Sequence, residues 1–85
     1  MQITVRYFAA LREALGARET IELAQGTTVA AARRQLCESS SLHREALRHG
    51  RALRAALNQV VVDNPEQVVI GERAELAFFP PVTGG

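Results

Sequence analysis

Ala74-Glu75-Leu76-Ala77-Phe78-Phe79-Pro80-Pro81-Val82-Thr83-Gly84-Gly85 closes the sequence of 85 residues, and its reading orders everything before it. Residues 74–79 have the apolar, aromatic character of a strand. Two prolines then stop it, because each locks φ at about −65° and offers no amide donor. Residues 80–85 continue as an arm that spans roughly 20 Å when extended, at about 3.3–3.6 Å per residue. Gly84 and Gly85 lack a Cβ, so backbone and carboxylate fit a channel too narrow for side chains. An arm of this kind, joined to a hydrophobic strand, looks like a substrate for another protein's active site. The expected organisation is a folded body, residues 1–79, and an extended, flexible C-terminal tail, residues 80–85.

Working back from that strand, Gly71-Glu72-Arg73 reads as a turn and residues 67–70 as a brief strand. Asp63-Asn64-Pro65 is a turn by composition. Residues 54–62 end in three valines and read as one buried strand. At the other end of the chain, residues 2–8 alternate, with Ile3, Val5 and Tyr7 on one face and Thr4, Arg6 and Phe8 on the other. Residues 9–15 predict a short helix that Gly16 ends, and residues 18–23 predict a second strand. Thr27 or Thr28 is placed to cap a longer helix. In that helix Val29, Ala32 and Leu36 share a face, and Arg33, Arg34 and Glu38 point to water. Ser39-Ser40-Ser41 interrupts, and residues 42–48 form a further turn or two of helix. The order β, α, β, α, (α), β, β, β in so short a chain indicates an α+β domain with its sheet packed on the longest helix.

Composition narrows the function. The chain forms one small domain, expected to bury about 60% of its unfolded surface. With 47% apolar residues it is a folded protein, and with only four aromatic residues its core is aliphatic. A net charge of +1 gives no electrostatic reason for nucleic acid or an anionic membrane as partner. No apolar run approaches the length of a membrane span, and Met1 leads straight into a strand, so neither a membrane anchor nor a signal peptide is expected. A single cysteine, Cys37, excludes an intramolecular disulfide and fits the cytoplasm. All ten basic residues are arginine, so an activated C-terminus meets no ε-amine on its own chain.

Internal catalytic machinery is not expected. Cys37 lies on a predicted helix with no neighbouring histidine and reads as a small buried hydrophobe. His43 and His49 are six apart, which is not a helical metal-ligand spacing, so no metal site and no bound cofactor are expected. Glu13, Glu19, Glu22, Glu72 and Glu75 read as solvated faces. The remaining chemical handle is the Gly85 carboxylate, ionised at neutral pH and a poor electrophile. A mixed anhydride with AMP activates such a group, and a sulfur nucleophile then converts it to a thiocarboxylate.

At these residues a family resemblance emerges. The ending from Phe78 to Gly85, preceded by Gly71-Glu72-Arg73-Ala74-Glu75-Leu76-Ala77, resembles that of the small, sulfur-carrying subunits of molybdopterin synthases. Phe8-Ala9-Ala10-Leu11-Arg12-Glu13 looks like that family's opening, and Ala56-Leu57-Asn58-Gln59 matches its central Asn-bearing strand. One departure is Glu72, where the family commonly has Asp, a residue that bonds its own backbone in a turn more readily.

The resemblance implies a ubiquitin-like β-grasp, a mixed sheet on one main helix with the first and last strands side by side. It also implies adenylation of Gly85 by an ATP-using activating enzyme, and sulfuration to a thiocarboxylate with a sulfur donor protein. Insertion of Pro80, Pro81, Val82, Thr83 and Gly84 into a channel of the large subunit follows. There sulfur passes to cyclic pyranopterin monophosphate, in an assembly of two large and two small subunits. Phe79 and Val61 are the expected docking residues, with Arg12 as a rim charge. The competing readings are a sulfur carrier for thiamine thiazole or cysteine synthesis, a ubiquitin-like protein modifier, and a plain interaction module with an inert tail.

Overall fold

The alternation at the start of the chain produces a strand whose inner face, Ile3, Val5 and Tyr7, is sealed from solvent. This strand, β1 (Gln2–Tyr7), belongs to a computed structural model that describes residues 1–48 and 50–81. It is followed by α1 (Ala10–Leu15), β2 (Arg18–Glu22), α2 (Val29–Ser39), α3 (Ser41–Leu47), β3 (Arg54–Leu57), β4 (Val60–Val61) and β5 (Glu75–Phe79). Gly16 ends α1 with φ of 92°, a conformation that side-chain-bearing residues adopt at a cost. Thr28, not Thr27, caps α2 by accepting from the Ala31 N–H at 3.1 Å. Ser40 caps α3 in the same way, accepting from the His43 N–H at 3.0 Å. The serine run therefore joins two helices end to end.

The strands form one mixed sheet in the order β2-β1-β5-β3-β4. Its centre is the parallel pair of β1 and β5, with Val5 opposite Leu76 and Tyr7 opposite Phe78. The first and last strands thus lie side by side, as a β-grasp requires. β2 pairs antiparallel with β1, and β3 pairs antiparallel with β5. Val29, Ala32 and Leu36 of α2 join Ala46 and Leu47 of α3 in one core with the inner residues of β1 and β5. At roughly 1.5–3 kcal/mol per fully buried large apolar side chain, this shared layer is what holds the helices to the sheet.

Two expectations are corrected. Residues 54–62 are not one buried strand but a hairpin, β3 and β4, turned at Asn58 and Gln59 with φ of 50° and 70°. Two successive left-handed residues reverse the chain with the twist that antiparallel strands need. Val60 and Val61 are consequently exposed, and only Val62 is buried. The Asn quoted for a central strand sits in this turn. Residues 67–70 form no strand, only an isolated bridge between Val69 and Thr28. The turn at Gly71-Glu72-Arg73 does form, with Arg73 left-handed at φ 56° and its N–H donating to the Gln2 carbonyl at 3.2 Å.

Candidate functional site

β5 is the strand from which the tail departs, and it is held on both sides. Its inner residues Leu76 and Phe78 are buried, which turns Glu75, Ala77 and Phe79 to the opposite, outer face of the sheet. On that face Arg6 of β1 and Ala56 of β3 flank Ala77 by register. The two small alanines leave a shallow hollow, walled by Phe8 and Phe79 and closed below by Glu75 and Gln59. Phe8 is solvent-exposed, and the Arg6 guanidinium stands 5.1 Å from its ring centroid. Arg6 also meets Glu75 at 3.6 Å, an exposed pair worth at most about 1 kcal/mol.

Of the expected docking residues, Phe79 lines this hollow, half-buried at the foot of the tail. Val61 pairs with Ala56, so it shares the outer face one strand beyond the hollow, and it is exposed. Arg12 is exposed on α1 and does not line the hollow. Arg6 and Phe8 are the members that sequence reading missed. The β1 alternation puts both on the face opposite Tyr7, but only the parallel register, with Arg6 opposite Ala77, brings that face beside Phe79. Pro80 and Pro81 are exposed and follow β5 directly. Val82, Thr83, Gly84, Gly85 and His49 lie outside the described residues.

The inner side holds a polar cluster that was also missed. Glu19 is not a solvated carboxylate: its Oε2 accepts from the Tyr7 hydroxyl at 2.6 Å and from His43 Nε2 at 2.7 Å. A carboxylate only accepts, so His43 carries its proton on Nε2 when neutral, and Nδ1 accepts from the Ser40 hydroxyl at 2.6 Å. Burial, then the hydrogen bond to Glu19 and its charge, push the Tyr7 phenol well above its ordinary pKa. The cluster ties β1, β2 and α3 together, and no buried side-chain polar atom among the described residues lacks a partner. It is therefore a structural clasp. Cys37 is half-buried against the core. No cluster of three or more His, Cys, Asp or Glu suited to a metal ion occurs among the described residues.

Arg33 also departs from expectation. It reaches across from α2, and its guanidinium donates to the carbonyls of Leu47 at 2.7 Å, Arg48 at 2.7 Å and Arg51 at 2.8 Å. The first two acceptors lie at the C-terminal end of α3 and the third in the loop that follows, so the planar guanidinium ties α2 to that end of the neighbouring helix. Burial lowers the Arg33 pKa, and the charge of nearby Cys37 opposes that shift.

Residues 5–85 match the family model described as the ThiS family. The chain belongs to the ThiS family. It is 41% identical over 83 residues to the molybdopterin synthase sulfur carrier subunit of Escherichia coli (strain K12), covering 98% of this chain and 99% of that one. The protein of the same name from Mycobacterium tuberculosis (strain ATCC 25618 / H37Rv) is 34% identical, covering 100% of this chain and 99% of that one. Among solved structures, SAMP1 from Haloferax volcanii superposes with a TM-score of 0.74 at 23% identity, each chain covered 100%. A chain of the complex of subunits 1 and 2 of the molybdopterin-converting factor from Helicobacter pylori 26695 superposes with a TM-score of 0.68 at 24% identity, again with full coverage of both chains. These two likenesses show the fold of the ThiS-family chain, a ubiquitin-like β-grasp. No helix among its described residues is long and apolar enough to cross a membrane.

Proposed function

We propose that this chain is the sulfur-carrier subunit of a molybdopterin synthase, acting through the carboxylate of Gly85. The observation that carries the reading is its likeness, over nearly the full length, to curated carriers of that name. The geometry supports it. β5 is locked between β1 and β3, so the tail starts from a rigid base, beside an outer-face hollow that suits a partner protein.

In this reading the Gly85 carboxylate attacks the α-phosphate of ATP on an activating enzyme and pyrophosphate leaves. Hydrosulfide (HS−), released by a donor, then attacks the carbonyl of the acyl-adenylate; the C–O bond to AMP breaks, AMP leaves, and the thiol proton goes to solvent. The resulting thiocarboxylate is anionic and nucleophilic at neutral pH. Its arm enters the large subunit, where sulfur passes to cyclic pyranopterin monophosphate within an assembly of two large and two small subunits in the cytoplasm. The chain contributes no general acid or base: it presents the group, and the partners supply the catalysis.

Intact-mass measurement after incubation with activating enzyme, ATP and a sulfur donor tests the reading. The expected result is replacement of one oxygen by one sulfur, located at Gly85 by fragmentation, and loss of that sulfur on adding large subunit and pyranopterin substrate. An unchanged mass overturns it. Isopeptide conjugates through Gly85 would assign the chain to the protein modifiers instead.

A further inference from the structure

A second concavity lies on the helical side of the sheet, away from the outer-face hollow, and the sulfur-carrier reading gives it no role. It is a cleft of about 460 Å³ between α2, α3 and the β3–β4 hairpin, a size ordinary for small-molecule sites, which run from roughly 300 to 1,000 Å³. Its floor is apolar: Val29, Leu47, Ala55, Val62 and Phe78, all buried. Space exists there because Ala30 and Ala55 stand where larger side chains would close the gap between α2 and β3.

The rim is cationic. Five arginines line the cleft against three acidic residues. Arg34 is paired with Glu66 at 3.5 Å and Arg54 with Asp63 at 3.8 Å, while Arg33 is committed to backbone carbonyls. Arg44 and Arg48 remain. They are four residues apart at the end of α3, hence on one side of it, and neither forms an ion pair among the described residues. Two like charges so placed repel by a few tenths of a kcal/mol. An anion between them reverses the sign of that interaction.

We propose that this cleft binds a small amphiphilic anion, with an apolar body on the Val29–Phe78 floor and one carboxylate or phosphate between Arg44 and Arg48. The apolar floor demands the body, and the paired guanidiniums demand the charge. The cleft shares no lining residue with the outer-face hollow, and the proposal does not depend on the function proposed for Gly85.

The test is amide-resolved NMR titration of the full chain with decanoate, decyl phosphate and decanol, all below micelle-forming concentration. Saturable shifts on α2, α3 and β3 are expected with one or both anions, and the tighter of the two names the headgroup. Decanol, and either anion with the Arg44→Gln/Arg48→Gln variant, should bind at least about tenfold more weakly. Ala30→Leu, which fills the cleft and keeps its charges, should weaken binding as well, with the amide spectrum showing a retained fold in each case. The proposal is overturned if neither anion gives saturable shifts, if decanol binds as well, or if the double variant is unchanged. It fails too if the shifts map to Phe8 and Phe79, or if an acidic peptide without an apolar body binds as tightly.

Discussion

Asn58 and Glu75 grip each other by two hydrogen bonds: the Asn58 N–H donates to the Glu75 carbonyl at 2.8 Å, and the Glu75 N–H donates to Asn58 Oδ1 at 2.9 Å. The pair joins the tip of the β3–β4 hairpin to the first residue of β5, the strand that leads into the tail. Asn is one of the few residues that accepts a left-handed backbone at little cost, and here its side chain replaces a missing ladder bond.

Asn58→Ala should therefore destabilise the fold by about 1–2 kcal/mol, from the lost bond and the strained φ together. Asn58→Gly should recover the backbone part only. Chemical denaturation of the three proteins checks this, and equal midpoints for Ala and Asn would remove Asn58 from the account.

The same turn shows what was legible in the sequence and what was not. Residues 2–8 were readable because one face of β1 is buried and period-two alternation records that directly. The cap was readable to within one residue, Thr27 or Thr28, because the helix after it has a clear apolar stripe, and the structure selects Thr28. Residues 54–62 misled because consecutive valines favour a strand, whereas the reversal depends on φ at Asn58 and Gln59, and Gln carries no turn signal. Arg33, Glu19 and His43 were unreadable for a different reason. The contacts Arg33–Leu47, Glu19–Tyr7 and Glu19–His43 span 14, 12 and 24 residues along the chain, so charge pattern alone consigns these side chains to solvent. The outer-face hollow was half legible: Phe79 came from its place at the foot of the tail and Val61 from the family resemblance, but Arg6 and Phe8 enter only through the parallel pairing of β1 with β5.

Tyr7 gives the stability a pH limit. Its folded-state pKa is raised, chiefly by burial and then by Glu19, so the protonated phenol is the form that folding favours. That contribution is fully present below the unfolded tyrosine value of about 10, and it is lost as pH rises from there through the folded value. Above about pH 10 the unfolding free energy should fall by about 1.4 kcal/mol per pH unit on account of this one group. Tyr7→Phe should cost about 1 kcal/mol at neutral pH and abolish the tyrosine-linked slope. The chain has a single tyrosine, so phenolate absorbance follows the same event without interference.

The outer-face hollow predicts a graded docking series. Phe79→Ala should weaken binding to the large subunit by about 30-fold or more, as expected of a buried aromatic anchor worth about 2 kcal/mol. Val61→Ala, one strand further out, should cost less. Arg12→Ala should change affinity by no more than about threefold, since an exposed rim charge contributes little. Calorimetric titration against the large subunit measures all three. A Phe79→Ala protein with intact fold and undiminished affinity would remove the hollow from the interface.

Tail length is the most demanding expectation. Deleting Gly85 shortens the arm by about 3.5 Å, far beyond the misplacement of about 1 Å that costs a hundredfold in rate. An added residue overshoots by the same distance and brings a Cβ into the channel unless it is glycine. Gly84→Ala should be harmful through the same bulk and through lost access to positive φ. Every core residue of β5 precedes Pro80, so thermal melts should be unchanged in all three variants. Adenylate formation, thiocarboxylate formation and sulfur transfer are to be assayed separately for each, beside the unmodified chain. The deletion should fail at least at the transfer step, by roughly two orders of magnitude or more. Full transfer by the Gly85 deletion would overturn the length requirement, because the Gly84 carboxylate it exposes ends about 3.5 Å short.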